Sequence, residues 1–560
     1  MSEATTDAVN RDAVNLDPVD LEIRWSRLAA ITDEAAATLL RAAFSTIIRE
    51  SNDYTVVLMN SAGHTVAESR AGIPAFAALI GTLTERLLKT IPAESWHEGD
   101  IVITNDPWIA TGHLPDIAMV SPIFHRGTLI GFAGSAAHVP DIGGTPTLDA
   151  TELLAEGLFI PPIHLYRDGV RDEAVVALLR ANVRLPVQVW GDLEAQMAAH
   201  EVCRRRTIEL LEDIGEPDLE ELSHLVHAMS DRATRAAIAA IPNGVYRSSL
   251  DADGVEGQPT HIECTVTVDG ERIAVDYSGS SPQVAHATNC TLNYTTAYSV
   301  YPLKLLLDRG TRSNHGSYRA ITVSAPEGSI LNPVFPAPVL ARHLTGHLLC
   351  CAIYQALADV LPERVIADSG GAPALRVQFA GRDELGAPFA AILFASAGMG
   401  ACADADGLST TAFPTNSGSG SIEALEATAP LLFRRKELRP DSGGPGTRRG
   451  GLGQDVEVCN LGTRPIRVAL LGDRSQHPAL GIAGGLPGAL AHARYEDGTT
   501  PPLKSVSALA RGSAITISFA GGGGYGPPAD RDRAAVAADL LAGLITTTDA
   551  YDAHDGTGTA

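Results

Sequence analysis

At 560 residues the chain is too long for a single hydrophobic core, and its length predicts about three domains. A formal net charge of −24 argues against nucleic acid or an anionic membrane as a partner, because phosphate binding needs a basic surface. No apolar run approaches about 20 residues and no basic flank precedes an apolar core at the start, so the sequence predicts neither a membrane span nor a signal peptide.

Residues 1–16 are polar and read as a loose tail. Asp17-Pro18 opens a helical region in which Ile23, Leu28, Ile31, Ala35, Leu39, Ala43 and Ile47 recur near helical spacing. Tyr54 to Asn60 reads as a strand, Ser61-Ala62-Gly63 as its turn, and His64 begins the return. Asp53 therefore stands at a helix-to-strand junction, where its carboxylate either enters a site or caps a turn. Ala75 to Lys89 predicts a helix and Ile101 to Thr104 a strand.

The stretch Asn105 to Gly144 carries the densest chemistry. Ile117 to Phe124 and Thr128 to Ala137 read as antiparallel strands joined at His125-Arg126-Gly127. That pairing puts Asp116 opposite His138 within about one residue, with Cβ atoms roughly 5 Å apart. His113 lies on a loop that Pro107, Gly112 and Pro115 keep irregular. Two imidazoles and a carboxylate at one hairpin end are a ligand set for Zn²⁺, Mn²⁺ or Fe²⁺, with a position left open. Asp106 and Asp141 are near enough in sequence to orient the imidazoles, and Asp141 is also a catalytic candidate. The competing reading makes His113 and His138 ordinary loop residues, and a one-residue slip would turn Asp116 to the other face.

Beyond Gly144 the chain is loop-rich, and Thr151 to Pro162 is a candidate substrate-facing segment in which Glu156 is either a general acid or base or a structural residue. Helices are predicted over residues 174–181, 193–214 and 219–240, then strands over 245–250, 261–268 and 272–277, then a helix over 289–307. Arg342, His343 and His347 open a helix predicted to reach about residue 361, where they either bind a phosphate or carboxylate or serve in capping and packing. The last third reads as β-rich. Leu375 to Phe379 and Phe389 to Phe394 form a hairpin, and strands follow at 455–459, 466–471 and 515–518. Arg448 and Arg449 sit in a glycine-rich loop that is either an anion site or a cluster of structural turns. Gly521 to Gly524 is not a phosphate-binding loop of the Walker type, since no Gly-Lys-Ser/Thr follows. Residues 529–546 read as a short terminal helix and 547–560 as a tail. Seven scattered cysteines without a Cys-x-x-Cys pair indicate reduced thiols and a cytoplasmic location.

These elements predict an α+β, multidomain protein. The division is a tail at 1–16, an N-terminal mixed α/β metal-binding domain with long helices at 17–244, a central α+β domain at 245–430, a β-rich C-terminal domain at 431–546 and a tail at 547–560.

The run NDP-x4-GH-x2-D from Asn105, followed by AAHVPDIGG, resembles the hydantoinase B/oxoprolinase family. YSGSSPQV from Tyr277, RPDSGGPGTRRGGLG from Arg439 and GGGGYGPP from Gly521 agree, so the resemblance spans about residues 17–530. That family is the second subunit of ATP-dependent lactam and hydantoin hydrolases and is similar to a large subunit of acetone carboxylase. The resemblance implies a metal held by His113, Asp116, His138 and an earlier acid that falls on Asp53. It implies a hydantoinase A-type partner that binds ATP and phosphorylates a cyclic amide, in a heterooligomer. Zn or Mn, with Fe as a further option, is the expected metal. Three other readings stand beside it: a ketone carboxylase subunit, a non-haem iron oxygenase, and a non-catalytic scaffold with a structural metal.

Overall fold

A computed structural model describes residues 17–552 except 146. The expected N-terminal tail, and residues 553–560 of the C-terminal one, lie outside the described residues.

Helix α1 (Pro18–Ala42) starts where Asp17 accepts the Val19 amide and Pro18 occupies the first turn, as its missing N–H permits. It buries Trp25, Leu28, Ile31, Ala35 and Leu39, one stripe at helical spacing. A short α2 (Thr46–Ser51) leads into β1 (Tyr54–Asn60), β2 (Thr65–Glu68), α3 (Pro74–Thr90) and β3 (Ile101–Thr104). The hairpin β4 (Asp116–His125) and β5 (Thr128–His138) follows, then α4 (Leu153–Glu156), β6 (Ile163–Arg167) and β7 (Val170–Arg171). The strands form a seven-stranded antiparallel sheet in the order β2-β1-β5-β4-β3-β6-β7.

Both faces of this sheet are covered. Tyr54, Val56 and Leu58 of β1 pack with α1 and with Ala199 and Cys203 of the long helix Pro186–Ile214, while Val57 and Met59 pack with Ala77, Ile80 and Leu83 of α3. That is why β1 reads as a continuous apolar run with no alternation. The long helix is α6, after α5 (Glu173–Asn182), and its buried Asp192 accepts the Phe44 and Ser45 amides, tying it to the segment between α1 and α2.

After α7 (Glu220–Ala239), a second sheet is built from β8 (Gly244–Val255), β9 (Gln258–Asp269), β10 (Arg272–Asp276) and, beyond α8 (Leu292–Leu307), β11 (Ile321–Ser324). Strand β9 alternates, with Ile262, Cys264, Val266 and Val268 inward, because only one face meets the core shared with α8 and the helix Leu348–Leu357. The helix expected from Arg342 to about residue 361 is broken at His347 into α9 (His343–Gly346) and α10 (Leu348–Leu357).

The last third is two facing sheets. One joins β12 (Arg376–Arg382) and β13 (Pro388–Phe394) to later strands; after α11 (Ile422–Thr428), the other holds β14 (Leu431–Leu438) and β15 (Gln454–Asn460). Then come β16 (Ile466–Leu471), β17 (His492–Tyr495), β18 (Lys504–Leu509), β19 (Ala514–Ser518) and α12 (Arg533–Leu541). The orders are β13-β12-β16-β18 and β14-β15-β19-β17, so the first sheet draws strands from both sides of residue 430. Val377, Phe379 and Val468 of one sheet share a core with Val456, Ile515 and Ile517 of the other.

The glycine-rich loops of this region stack on one another. Gly444 N–H donates to Gly522 O at 2.8 Å, Gly522 N–H to Gly451 O at 3.0 Å, and Gly451 N–H to Met399 O at 2.8 Å. A Cβ on Gly450 would lie 2.0 Å from Gly522 O, so these residues allow backbone to approach backbone. Gly450→Ala should therefore lower stability by about 2–3 kcal/mol in urea denaturation. An unchanged midpoint would show that the stack has slack.

Candidate metal centre

The hairpin turn is Arg126-Gly127, both residues with positive φ (52° and 80°), as a two-residue antiparallel turn requires. From there the register runs His125↔Thr128 and Phe124↔Leu129, then shifts to Ile123↔Gly131, leaving Ile130 unpaired. This bulge moves every later pair by one residue and sets Asp116 directly opposite His138. His138 N–H donates to Asp53 O at 3.0 Å, which brings the end of α2 to the same place.

Asp116 Oδ1 lies 2.8 Å from both His138 Nδ1 and His113 Nε2. Asp53 Oδ2 stands 3.7 Å from His138 Nδ1. The side chains are buried, Asp116 completely. His113 Nδ1 is 2.9 Å from the Leu340 carbonyl and donates to it, which turns the Nε2 lone pair towards Asp116. Asp53 Oδ2 and His113 Nε2 have no hydrogen-bond partner. Ligand atoms of His113, Asp116 and His138 lie within 4.8 Å of one another and fit a divalent cation, with Asp53 outside this set, beside His138.

The local sequence builds this arrangement. Asn105, fully buried, donates to Leu114 O and Leu158 O and accepts the Ile160 amide, clamping the His113 loop to the segment after α4. Asp106 caps its own turn at the Trp108 amide and makes no contact with an imidazole. Gly112, at φ 93°, lies where a Cβ would sit 2.7 Å from Arg342 Cδ. Into that space comes Arg342, whose Nη2 donates to Asp116 Oδ2 at 2.7 Å and whose Nε donates to Thr111 O at 2.6 Å. Its guanidinium lies over the Tyr294 ring, 4.2 Å from the centroid.

Burial opposes ionisation of Asp116, but the Arg342 guanidinium on Oδ2 and the hydrogen bond from His138 Nδ1 to Oδ1 outweigh it and hold the carboxyl well below the usual range. Burial pushes His113 down to about 3, helped by Arg342, so its imidazole is neutral. Burial raises the Asp53 carboxyl, against the pull of His138.

A cavity of about 310 Å³ opens on His113 and His138. His343, Arg376, Gln378, Arg184 and Asp141 also line it. The His343 imidazole is buried with neither ring nitrogen partnered, and burial, then Arg376, holds it neutral. His347 lies behind it, with Nε2 3.2 Å from the Tyr294 hydroxyl. Asp141 is bound by Arg184 at 2.7 Å and orients no imidazole. Arg376 reaches to 3.7 Å from Asp53 Oδ2.

Glu156 is fully buried and does not line the cavity. Its Oε1 accepts the Val339 and Leu340 amides, and the Leu340 carbonyl holds His113, so Glu156 positions that imidazole through one residue. Burial raises its carboxyl to about 8 against those two amides. Arg448 and Arg449 are not brought here: Arg448 is exposed and Arg449 binds Asp539 at 3.1 Å. Arg376 and Gln378 carried a signal in the sequence that went unused, since they alternate with Val377 and Phe379 along a strand and so share its other face.

The chain matches the Hydantoinase B/oxoprolinase family over residues 17–528. It is 31% identical to a putative B-type subunit of D-/L-hydantoinase from Pseudomonas sp. (strain NS671), over 96% of this chain and 95% of that one. The crystal structure of the ATP-dependent caprolactamase from Pseudomonas jessenii superposes with a TM-score of 0.88 at 28% identity, covering 97% of this chain and 98% of the other. Nucleotide-free acetone carboxylase shares the fold, with a TM-score of 0.83 at 21% identity over 96% of this chain and 79% of that one.

Removing the Asp116 carboxylate strands the Arg342 charge in the interior. Asp116→Ala should cost about 3–5 kcal/mol in chemical denaturation, with Arg342→Met in the same chain recovering part of it. A loss under about 1 kcal/mol would show that water reaches Arg342. Glu156 has a different signature. The folded carboxyl keeps its proton up to about 8 and the unfolded one releases it near 4.5, so wild-type stability falls as pH rises between these values. Glu156→Gln lacks that dependence. Its melting temperature relative to wild type should therefore rise across the window, and a constant difference would mean that Glu156 is ionised in the fold.

Proposed function

Since the chain belongs to the Hydantoinase B/oxoprolinase family, we propose that it is the metal-dependent subunit of an ATP-dependent cyclic-amide hydrolase. It acts on a hydantoin, N-methylhydantoin, 5-oxoproline or lactam ring phosphorylated by a hydantoinase A-type partner, with which it forms a heterooligomer. The observation that carries this reading is the fully buried, ionised Asp116 held between the two imidazoles that line the cavity.

An unstrained ring amide is a poor electrophile, and phosphorylating its oxygen creates a leaving group and a more electrophilic carbon. His113, Asp116, His138 and Asp53 are the residues that hold the metal, Zn or Mn, with Fe as the further option. A divalent cation there supplies Lewis acidity and lowers the pKa of water towards neutrality. The chain's own residues do the rest. Arg342 keeps Asp116 ionised, and Leu340 fixes the His113 tautomer. Arg184, Arg376 and Arg467 give the cavity a cationic wall suited to a phosphorylated substrate. His343, neutral with both nitrogens unpartnered, is placed to accept or donate a proton. ATP is assigned to the partner, and this sequence carries no Walker-type Gly-Lys-Ser/Thr loop.

The test is the complex reconstituted with its A-type partner, assayed with ATP on hydantoins and lactams and, in parallel, on ketones with bicarbonate. His138→Ala should reduce ring opening by at least about 100-fold and remove about one metal per chain by mass spectrometry, with the fold retained. Full ring-opening activity in that variant would overturn the metal role, and turnover of ketones alone would make the chain part of a carboxylase.

A further inference from the structure

A second group of imidazoles and a carboxylate converges outside the cavity. His64 comes from the β1–β2 turn, Glu85 from α3, and His315 from the 3-10 turn His315–Tyr318. Glu85 Oε1 is 3.9 Å from His64 Nε2 and 3.7 Å from His315 Nδ1. The two rings stack, with centroids 3.9 Å apart and planes 17° from parallel. One ligand atom from each residue lies within 4.8 Å of the others.

The backbones that carry these side chains are fixed. His64 N–H donates to Asn60 Oδ1 and His64 O accepts the Asn60 amide, both at 3.0 Å. His315 is the first residue of a turn capped reciprocally by Asn314 and Ser317. Asn314 is tied in turn to Val226 O and Ser230 Oγ of α7. His227, whose ring is 5.6 Å from that of His315, already holds Thr65 O through Nε2 and stands outside the set. Tetrahedral ligation at 2.0–2.2 Å needs ligand atoms roughly 3.3–3.5 Å apart. The two Glu85 contacts exceed this by only a few tenths of an ångström, and rotation of the imidazoles closes the rest from a starting spread within 4.8 Å.

We propose that His64, Glu85 and His315 form a second divalent-metal site, one that takes Zn²⁺, Ni²⁺ or Co²⁺ in preference to Mg²⁺ or Ca²⁺. Two imidazoles and one carboxylate set that preference. The side chains are 31%, 35% and 28% exposed, so water completes the coordination. The ligands come from the β1–β2 turn, from α3 and from the segment leading into β11, so the metal clamps the first sheet layer to the second sheet. It works independently of the cavity.

The full-length protein, loaded with its cavity metal, is equilibrated with Zn²⁺ and desalted, and its metal content is measured. Wild type should retain one more equivalent than His315→Ala or Glu85→Gln, and its melting temperature should rise with Zn²⁺ where theirs does not. His138→Ala should keep this extra equivalent, which separates the site from the cavity. Glu85→Gln is nearly isosteric and partly exposed, so it reports even where His315→Ala fails to fold. Equal metal content in wild type and Glu85→Gln, with equal response to Zn²⁺, overturns the proposal.

Discussion

A carboxylate with no solvent exposure organises this protein. Asp116 is charged in the interior, and an isolated charge there would cost several kcal/mol even after relaxation. Arg342 provides the countercharge on Oδ2, leaving Oδ1 to the two imidazoles. Arg342 is buried beside it, so neither charge is tolerable without the other. The sequence elements around them answer to that pair. Gly112 leaves room for the arginine side chain, Thr111 accepts from its Nε, and Tyr294 offers a ring face. The residues before α9 thus serve a hairpin far earlier in the chain.

The fold's task is to bring five separate segments to that pair. The seven-stranded sheet is buried on both faces, so its strands cannot slide without moving two cores at once. The end of α2 delivers Asp53, the hairpin delivers Asp116 and His138, and the loop clamped by Asn105 delivers His113. The helix start at Arg342 and the first strand of the two-sheet region, with Arg376, close the cavity. Burial holds His113 and His343 neutral at the cavity wall, the state a metal ligand or proton carrier needs.

Much of this was legible in the sequence. The alternation and turn signals marked the hairpin, and the apolar spacing marked α1, α3 and α6. The glycine-rich loops were ambiguous, because glycine permits close approach without saying of what. They approach one another. Arg342 read as a candidate anion ligand at a helix start, and its anion turned out to be a side chain of the same protein. Glu156 stood within a plausible substrate segment, yet it faces the amides of Val339 and Leu340, a long-range contact that no local pattern encodes.

The sequence by itself determined the candidate ligand types, the hairpin that carries two of those residues, and family membership through motifs spread over nearly the whole chain. Pairing by counting from the turn placed Asp116 opposite His138 only to within a residue. The tertiary structure decided the rest by leaving Ile130 unpaired. That one bulge puts both side chains on the same face. Side chains alternate with a period of two, so a one-residue error is the difference between a site and a sheet surface, and only packing against both layers fixes it.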